Sequence, residues 1–148
     1  MNKILNINSD TSYAEKIFEI EKICFPDDYW SSDSISQSIL QRYSLFLVYF
    51  VEEKIVGYIN VYSIANEAEL NRIAVLPEFR KQGIGLKLIN CAIENLKENN
   101  CLKFFLEVRR ANLPAICLYK KIGFLEDSIR KNYYQRPSDD AVLMSLDF

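Results

Sequence analysis

Residues 70–96, LNRIAVLPEFRKQGIGLKLINCAIENL, limit the possible folds more than any other stretch of the chain. They run from an apolar strand through a break at Pro77 and a short loop into an amphipathic helix. The loop holds Arg80, Lys81, Gln82, Gly83, Ile84, Gly85 and Leu86, with Arg80, Gly83 and Gly85 spaced R-x-x-G-x-G. A residue without Cβ lets the backbone take φ > 0 or come close to another molecule. The first N–H groups of a helix have no intrahelical partner, and the helix dipole adds positive charge at the same end. Such a loop suits an anion of the pyrophosphate kind, with Arg80 and Lys81 adding charge beside it. The same two glycines would also serve simply to turn the chain into the helix. The G-K-[ST] of a P-loop and the third glycine of a dinucleotide fingerprint are missing, which excludes both of those classes.

Around this stretch the pattern alternates strand and helix. Strands are expected at 4–8, 45–51, 55–62, 68–76 and 102–108, with two closing strands in FLEDSIRKNYY and DAVLMSLDF. Helices are expected at 13–24, where Ser12 and Glu15 have capping-box spacing, and at 33–40 behind Ser31 or Ser32. Further helices are expected at 85–98 and at 113–122, the last stopped by Gly123. LKFFLEV at 102–108 is apolar on both sides apart from Lys103 and Glu107, as in a central parallel strand covered on both faces. An antiparallel run followed by a strand-helix-strand-helix-strand unit describes a mixed α/β domain with helices on both faces of its sheet. With 148 residues, 49% of them hydrophobic, the whole chain forms one such domain.

Composition removes several functions. There is no histidine, so an imidazole base or a His-ligated zinc is excluded within the chain. No metal is expected. A net charge of −2 makes no electrostatic case for nucleic acid. No apolar run is long enough to span a bilayer, and MNKILNINSD is too short and polar for a signal peptide; a cytoplasmic protein without membrane contact is expected. Cys24, Cys91, Cys101 and Cys117 lack C-x-x-C spacing, and the first, second and fourth fall inside helix patterns that would bury them as reduced structural thiols.

Acid–base work must therefore come from other side chains. Glu107 lies at a strand end between Leu106 and Val108, where desolvation disfavours the charged carboxylate and suits it to act as a base. The same position equally suits a carboxylate paired with Arg109 or Arg110. Tyr119 shares a helical stripe with Ala115, Leu118 and Ile122, which reads as a core tyrosine with its hydroxyl tied off, or as a proton donor. Asn112, two turns earlier, has the place of a helix cap.

Together these residues resemble a known family. IAV at 73–75, then Pro77, then R-x-x-G-x-G opening a helix is similar to the acetyl-coenzyme A motif of the GNAT acetyltransferase superfamily. The resemblance implies a sheet of about seven strands, mixed but mostly antiparallel. It places the coenzyme's pyrophosphate on the backbone N–H groups of residues 81–86, and its pantetheine arm beside Ile73, Ala74 and Val75. The run LEVRRANLPAICLYKKIGF, with IRKNYY and DDAVLMSL behind it, resembles the branch that acetylates the N-terminal alanine of a small-subunit ribosomal protein. That branch implies Glu107 as general base, Tyr119 as general acid, Asn112 as a coenzyme contact, and acetyl-CoA as co-substrate. Tyr133 and Tyr134 would wall the peptide groove against a simpler role in strand packing, with Trp30 and Glu69 at its border. Family members usually place a tryptophan and serine close behind F-P, whereas here Asp27, Asp28 and Tyr29 intervene before Trp30. This segment borders the acceptor groove in the family, so the departure bears on substrate choice. Asp27, Asp28, Glu67 and Glu69 read either as an acidic rim for a basic peptide or as solvated surface. Two other functions fit the same motifs: acetylation of a small amine, polyamine or lysine side chain, and a coenzyme-binding module without catalysis.

Overall fold

The computed structural model describes all residues, 1–148. In chain order the elements are β1 (Asn2–Asn6), α1 (Ala14–Cys24), α2 (Ser32–Ile39), β2 (Ser44–Val51), β3 (Lys54–Ile64), β4 (Glu67–Val75), α3 (Ile84–Glu98), β5 (Lys103–Arg109), α4 (Leu113–Ile122), β6 (Leu125–Tyr134) and β7 (Asp139–Asp147). One sheet contains all seven strands in the order β1-β2-β3-β4-β5-β7-β6. Only β4 and β5 pair in parallel; the other neighbours are antiparallel. The mixed α/β sheet, mostly antiparallel, is as expected.

Alternation along β3 sorts the two faces. Tyr58 and Tyr62 point toward α1 and α2, where they meet Glu21 and Ser38. α3 covers the other face, with Lys87 lying 6.0 Å from the ring centre of Tyr49 on β2. α4 sits beside α3, its Leu118 close to the first turn of that helix.

Local chemistry explains the ends of the elements and several departures. The first strand is Asn2–Asn6 rather than 4–8, because Asn8 turns its side chain to the Phe46 N–H and leaves the ladder. The capping box expected at Ser12 and Glu15 is not formed. Asp10 accepts from Ser12 N instead and starts a 3-10 turn, Thr11–Tyr13, ahead of α1. Ser31 caps α2 as expected, accepting from Ser34 N at 3.1 Å. Gly123, at φ +124, ends α4 where a side chain would be strained. Among the cysteines Cys117 is exposed and Cys24 and Cys91 are half-buried, while Cys101, outside every expected element, is the buried one. Its thiol lies under the start of β5, 3.4 Å from the carbonyl oxygens of both Asn66 and Lys103.

The central feature is how little β4 and β5 share. Their pairing consists of Glu67↔Lys103, Ala68↔Phe104 and Glu69↔Phe105, after which the strands part. β4 is bulged at Asn71, between Leu70 and Arg72, and the Asn71 amide donates to Asn60 Oδ1 at 3.2 Å. A bulge bends its strand and increases the local twist, which turns the end of β4 away from β5. β5 is accordingly not buried on both faces as its composition suggests. Phe104, Leu106 and Val108 are buried, whereas Phe105, Glu107 and Arg109 are half-open on the α1/α2 side.

Candidate active site

The loop between β4 and α3 has the geometry of an anion cradle. Lys81 and Gly83 lie at φ +61 and +81, and the helix begins at Ile84. None of the N–H groups from Lys81 to Leu86 donates to another backbone carbonyl; the first that does is Lys87, to Gly83. Alternating left-handed residues gather such donors into a concave nest. Gly83 is required by its φ. Gly85 is not: a Cβ there would rest 3.7 Å from Leu118, an ordinary contact. The fold therefore tolerates a side chain at 85. Arg80 does not reach toward this nest. Its Nε donates to the Val75 carbonyl at 2.8 Å and its Nη2 lies 3.6 Å from Cys24 Sγ, so it caps the end of β4.

Where β4 and β5 separate, a cleft of about 380 Å³ opens on the α1/α2 face, lined by Glu69, Phe105, Glu107, Asp127 and Leu143 with the backbone between them. Glu107 is half-buried, its side chain 26% exposed, with Arg130 Nη1 3.6 Å away. Neither arginine expected as its partner is available. Arg109 donates to the carbonyls of Pro137 and Gln135 and lies 4.4 Å from the Tyr134 ring, and Arg110 pairs with Asp140. Tyr119 is 5% exposed, and no protein group bonds its hydroxyl, which keeps contact with the surface instead of being tied off as in a core tyrosine. Burial, and secondarily Tyr134, pushes its phenol up to about 12, so it carries its proton throughout the neutral range. Tyr134 is likewise pushed up to about 12, by burial first and by the charge of Glu107 second. It therefore feels both candidate groups. Asn112 caps α4, its Oδ1 accepting from Ala115 N at 3.3 Å, and keeps its amide N–H groups free.

Tyr133 and Tyr134 stand edge to face, 5.0 Å apart, with Arg130 over Tyr133. Tyr133 is exposed on its outer side. Ile73, Ala74 and Val75 lie on the part of β4 that has left β5, paired only to β3. Asp27, Asp28, Glu67 and Glu69 are all exposed, but only Glu69 lines the cleft. Trp30 does not line it. It lies 4.7 Å from the guanidinium of Arg72, which the sequence reading passed over along with Glu21, Tyr58 and Asp127. One signal was present: Glu21 falls on the stripe Ala14, Ile17, Glu21, a charge placed where the helix should be apolar. Asp127 offered none, because it enters the cleft only through the bulge that β6 makes between Glu126 and Ser128.

An unpaired nest of amides at a helix start, beside a sheet that splits around a carboxylate and an unpartnered phenol, is the layout of a two-substrate acyl-transfer enzyme. Residues 14–124 match the acetyltransferase (GNAT) family, and the chain belongs to it as an acetyl-CoA-dependent N-acetyltransferase. Among particular relatives, it is 32% identical over 148 residues to the ribosomal protein bS18-alanine N-acetyltransferase of Escherichia coli K12, covering 99% of this chain and 97% of that one. It is 37% identical over 134 residues to the enzyme of the same name from Haemophilus influenzae, covering 88% and 90%. The crystal structure of the ribosomal-protein-S18-alanine N-acetyltransferase from Escherichia coli superposes with a TM-score of 0.91 at 30% identity, over 99% of this chain and 94% of that one.

Proposed function

We propose that this enzyme transfers the acetyl group of acetyl-CoA to the N-terminal amine, alanine first, of a small-subunit ribosomal protein in the cytoplasm. The observation that carries the reading is Glu107, a half-buried carboxylate on the wall of the cleft at the point where β4 and β5 part. An α-amino group has a pKa of roughly 7.7–8.0, so near neutrality it needs only modest help to lose its proton, unlike a lysine at about 10.4. Glu107 takes that proton, directly or through one water, as the nitrogen attacks the thioester carbonyl. The C–N bond forms and the C–S bond breaks; the departing sulfur, whose thiol pKa is about 8.5, is met by the Tyr119 hydroxyl. Because that phenol is the weaker acid, the transfer is completed only as the phenolate regains a proton from solvent and Glu107 releases the one it took. Backbone N–H groups along the free part of β4, near Ile73 to Val75, are placed to polarise the carbonyl oxygen. The amides of residues 81–86 fit the pyrophosphate of the co-substrate, and Asn112 supplies a further donor. Tyr133 and Tyr134 border the acceptor. The names and extent of the two bacterial relatives support the choice of acceptor.

One feature favours a second acceptor class. The cleft holds Glu69, Glu107 and Asp127 and so also suits a polyamine. The test is a thiol-release assay with acetyl-CoA and peptides differing only in their first residue, run beside spermidine and a lysine peptide with a blocked N-terminus. Turnover confined to free N-terminal alanine or serine supports the ribosomal reading. Turnover on spermidine or the blocked peptide alone sinks it and leaves the coenzyme site intact. No turnover with any of them, with acetyl-CoA still bound, points to a binding module.

A further inference from the structure

The face of the sheet that carries the cleft also carries a buried polar joint that the acyl-transfer chemistry does not use. Glu21 of α1 has no exposed surface. Its carboxylate accepts from the Tyr58 hydroxyl, from Arg72 Nε at 3.1 Å and Nη2 at 3.0 Å, and from the backbone N–H of Trp30 at 2.9 Å. Arg72 reaches further: Nη2 donates to the Asp28 carbonyl at 2.9 Å and Nη1 lies 3.7 Å from the Asp28 carboxylate. Its guanidinium sits 4.0 Å from the ring centre of Phe25 and 4.7 Å from that of Trp30. Arg72 thus joins β4 to Phe25, Asp28 and Trp30 of the 25–30 segment, and Glu21, itself held to the sheet by Tyr58 and Arg72, fixes the Trp30 backbone from α1. The segment's own backbone bonds are local, Phe25 N to Glu21 and Asp28 N to Phe25, and none crosses to a strand. Holding a polar loop by a fully satisfied buried ion pair is costly to build and costly to break, so it specifies one position.

That position matters because of where Arg72 stands. It lies three residues beyond Glu69, the last β4 residue paired with β5, and one residue before Ile73. Alternation along β3 puts Arg72, opposite Asn60, on the same face as Glu69, opposite Tyr62. The cleft with Glu107 opens on that face. An acceptor that reaches Glu107 from this side has β5 on one flank and, on the other, the diverging end of β4 with the loop that Arg72 anchors over it.

We infer that Arg72 and Glu21 are positioning residues for the acceptor, holding the 25–30 segment as the second wall of its groove. The inference rests on the acetyl-transfer reading above. Arg72 touches no reacting atom and acts through Phe25, Asp28 and Trp30. A lysine cannot replace it fully, since one ammonium cannot bond both oxygens of Glu21 and also meet the rings of Phe25 and Trp30.

Steady-state kinetics on Arg72→Gln and Arg72→Lys, with the best acceptor of the panel and with acetyl-CoA, test this. The expected result is an acceptor KM raised about ten-fold in Arg72→Gln and less in Arg72→Lys, with kcat and the acetyl-CoA KM changed by less than about two-fold. Because Trp30 is the only tryptophan, its emission gives a second readout without turnover. In the free Arg72→Gln enzyme it should shift to the red and become more open to acrylamide quenching. Should Arg72→Gln fold poorly, Glu21→Gln with Arg72→Gln removes both buried charges together and is expected to show the same rise in acceptor KM. An unchanged acceptor KM in folded variants, or an unmoved Trp30 spectrum, overturns the inference. Failure of the wild type on every N-terminal peptide is a different result, since it sinks the proposed acceptor; if spermidine is then the substrate, its KM in the same variants decides the role of Arg72.

Discussion

Glu107 and Tyr119 were legible as candidates in the sequence because charge and aromaticity stand out against an apolar background, but their partners were not. Arg130, which faces Glu107, is 23 positions away and belongs to a strand reached only after the chain has crossed α4. Replacing Glu107 by Gln is expected to lower kcat by about 10²–10⁴ while leaving acetyl-CoA binding intact, as read by calorimetry beside turnover. Tyr119→Phe is expected to lower kcat similarly and to change alkaline stability, for a reason fixed by sign. A phenol raised from about 10 to about 12 is protonated in both states below pH 10, where its contribution is complete. Above pH 10 the unfolded chain ionises first, and the contribution, about 2–3 kcal/mol for a group this buried, is lost as pH rises toward 12. Denaturant titrations at pH 9 and pH 11.5 should therefore show a smaller drop for Tyr119→Phe than for the wild type. The Glu21–Arg72 pair was half visible: Glu21 interrupts the apolar stripe of α1, but the partner that lets a carboxylate be buried there lies 51 positions away on β4.

At the scale of elements, types were readable and ends were less so. The helix at 113–122 has the bounds Leu113–Ile122, since Asn112 caps it and Gly123 stops it with local chemistry alone. β1 was misplaced by two residues because alternation continues past Asn6, while the hydrogen bond that ends the strand comes from Phe46. β5 was taken for a strand covered on both sides, because composition does not reveal that its neighbour turns away. The loop from Pro77 to Gly85 permits a sharper test. Gly83→Ala places a side chain at φ +81, at a cost of about 1–2 kcal/mol, and should lower the melting temperature and raise the acetyl-CoA KM together. Gly85→Ala should separate those effects. Its Cβ has room in the fold, so the melting temperature should hold, while the acetyl-CoA KM rises if a ligand approaches the backbone there. Thermal melts beside coenzyme titrations would distinguish the two.

For the whole molecule, resemblance along nearly the entire chain gave the architecture, and physical pattern alone gave its class. Neither contained the divergence of β4 from β5, which depends on a bulge at Asn71 and on three register pairs. Acetyl-CoA that binds only the folded chain should raise its stability by about 2.7 kcal/mol at one hundred times Kd, and Gly85→Ala should weaken that gain at fixed concentration. The parting of these strands has a further consequence. A sheet ordinarily leaves its hydrogen-bonding capacity open along its outer borders, where any extended chain can add to it. Here an additional border lies inside the sheet, between strands that screen it from both sides. A folded neighbour cannot dock there, and the middle of a polypeptide, which must leave in two directions, fits poorly. A slender molecule entering by one end fits well, so the architecture itself selects for the tip of a chain before any side chain has been read.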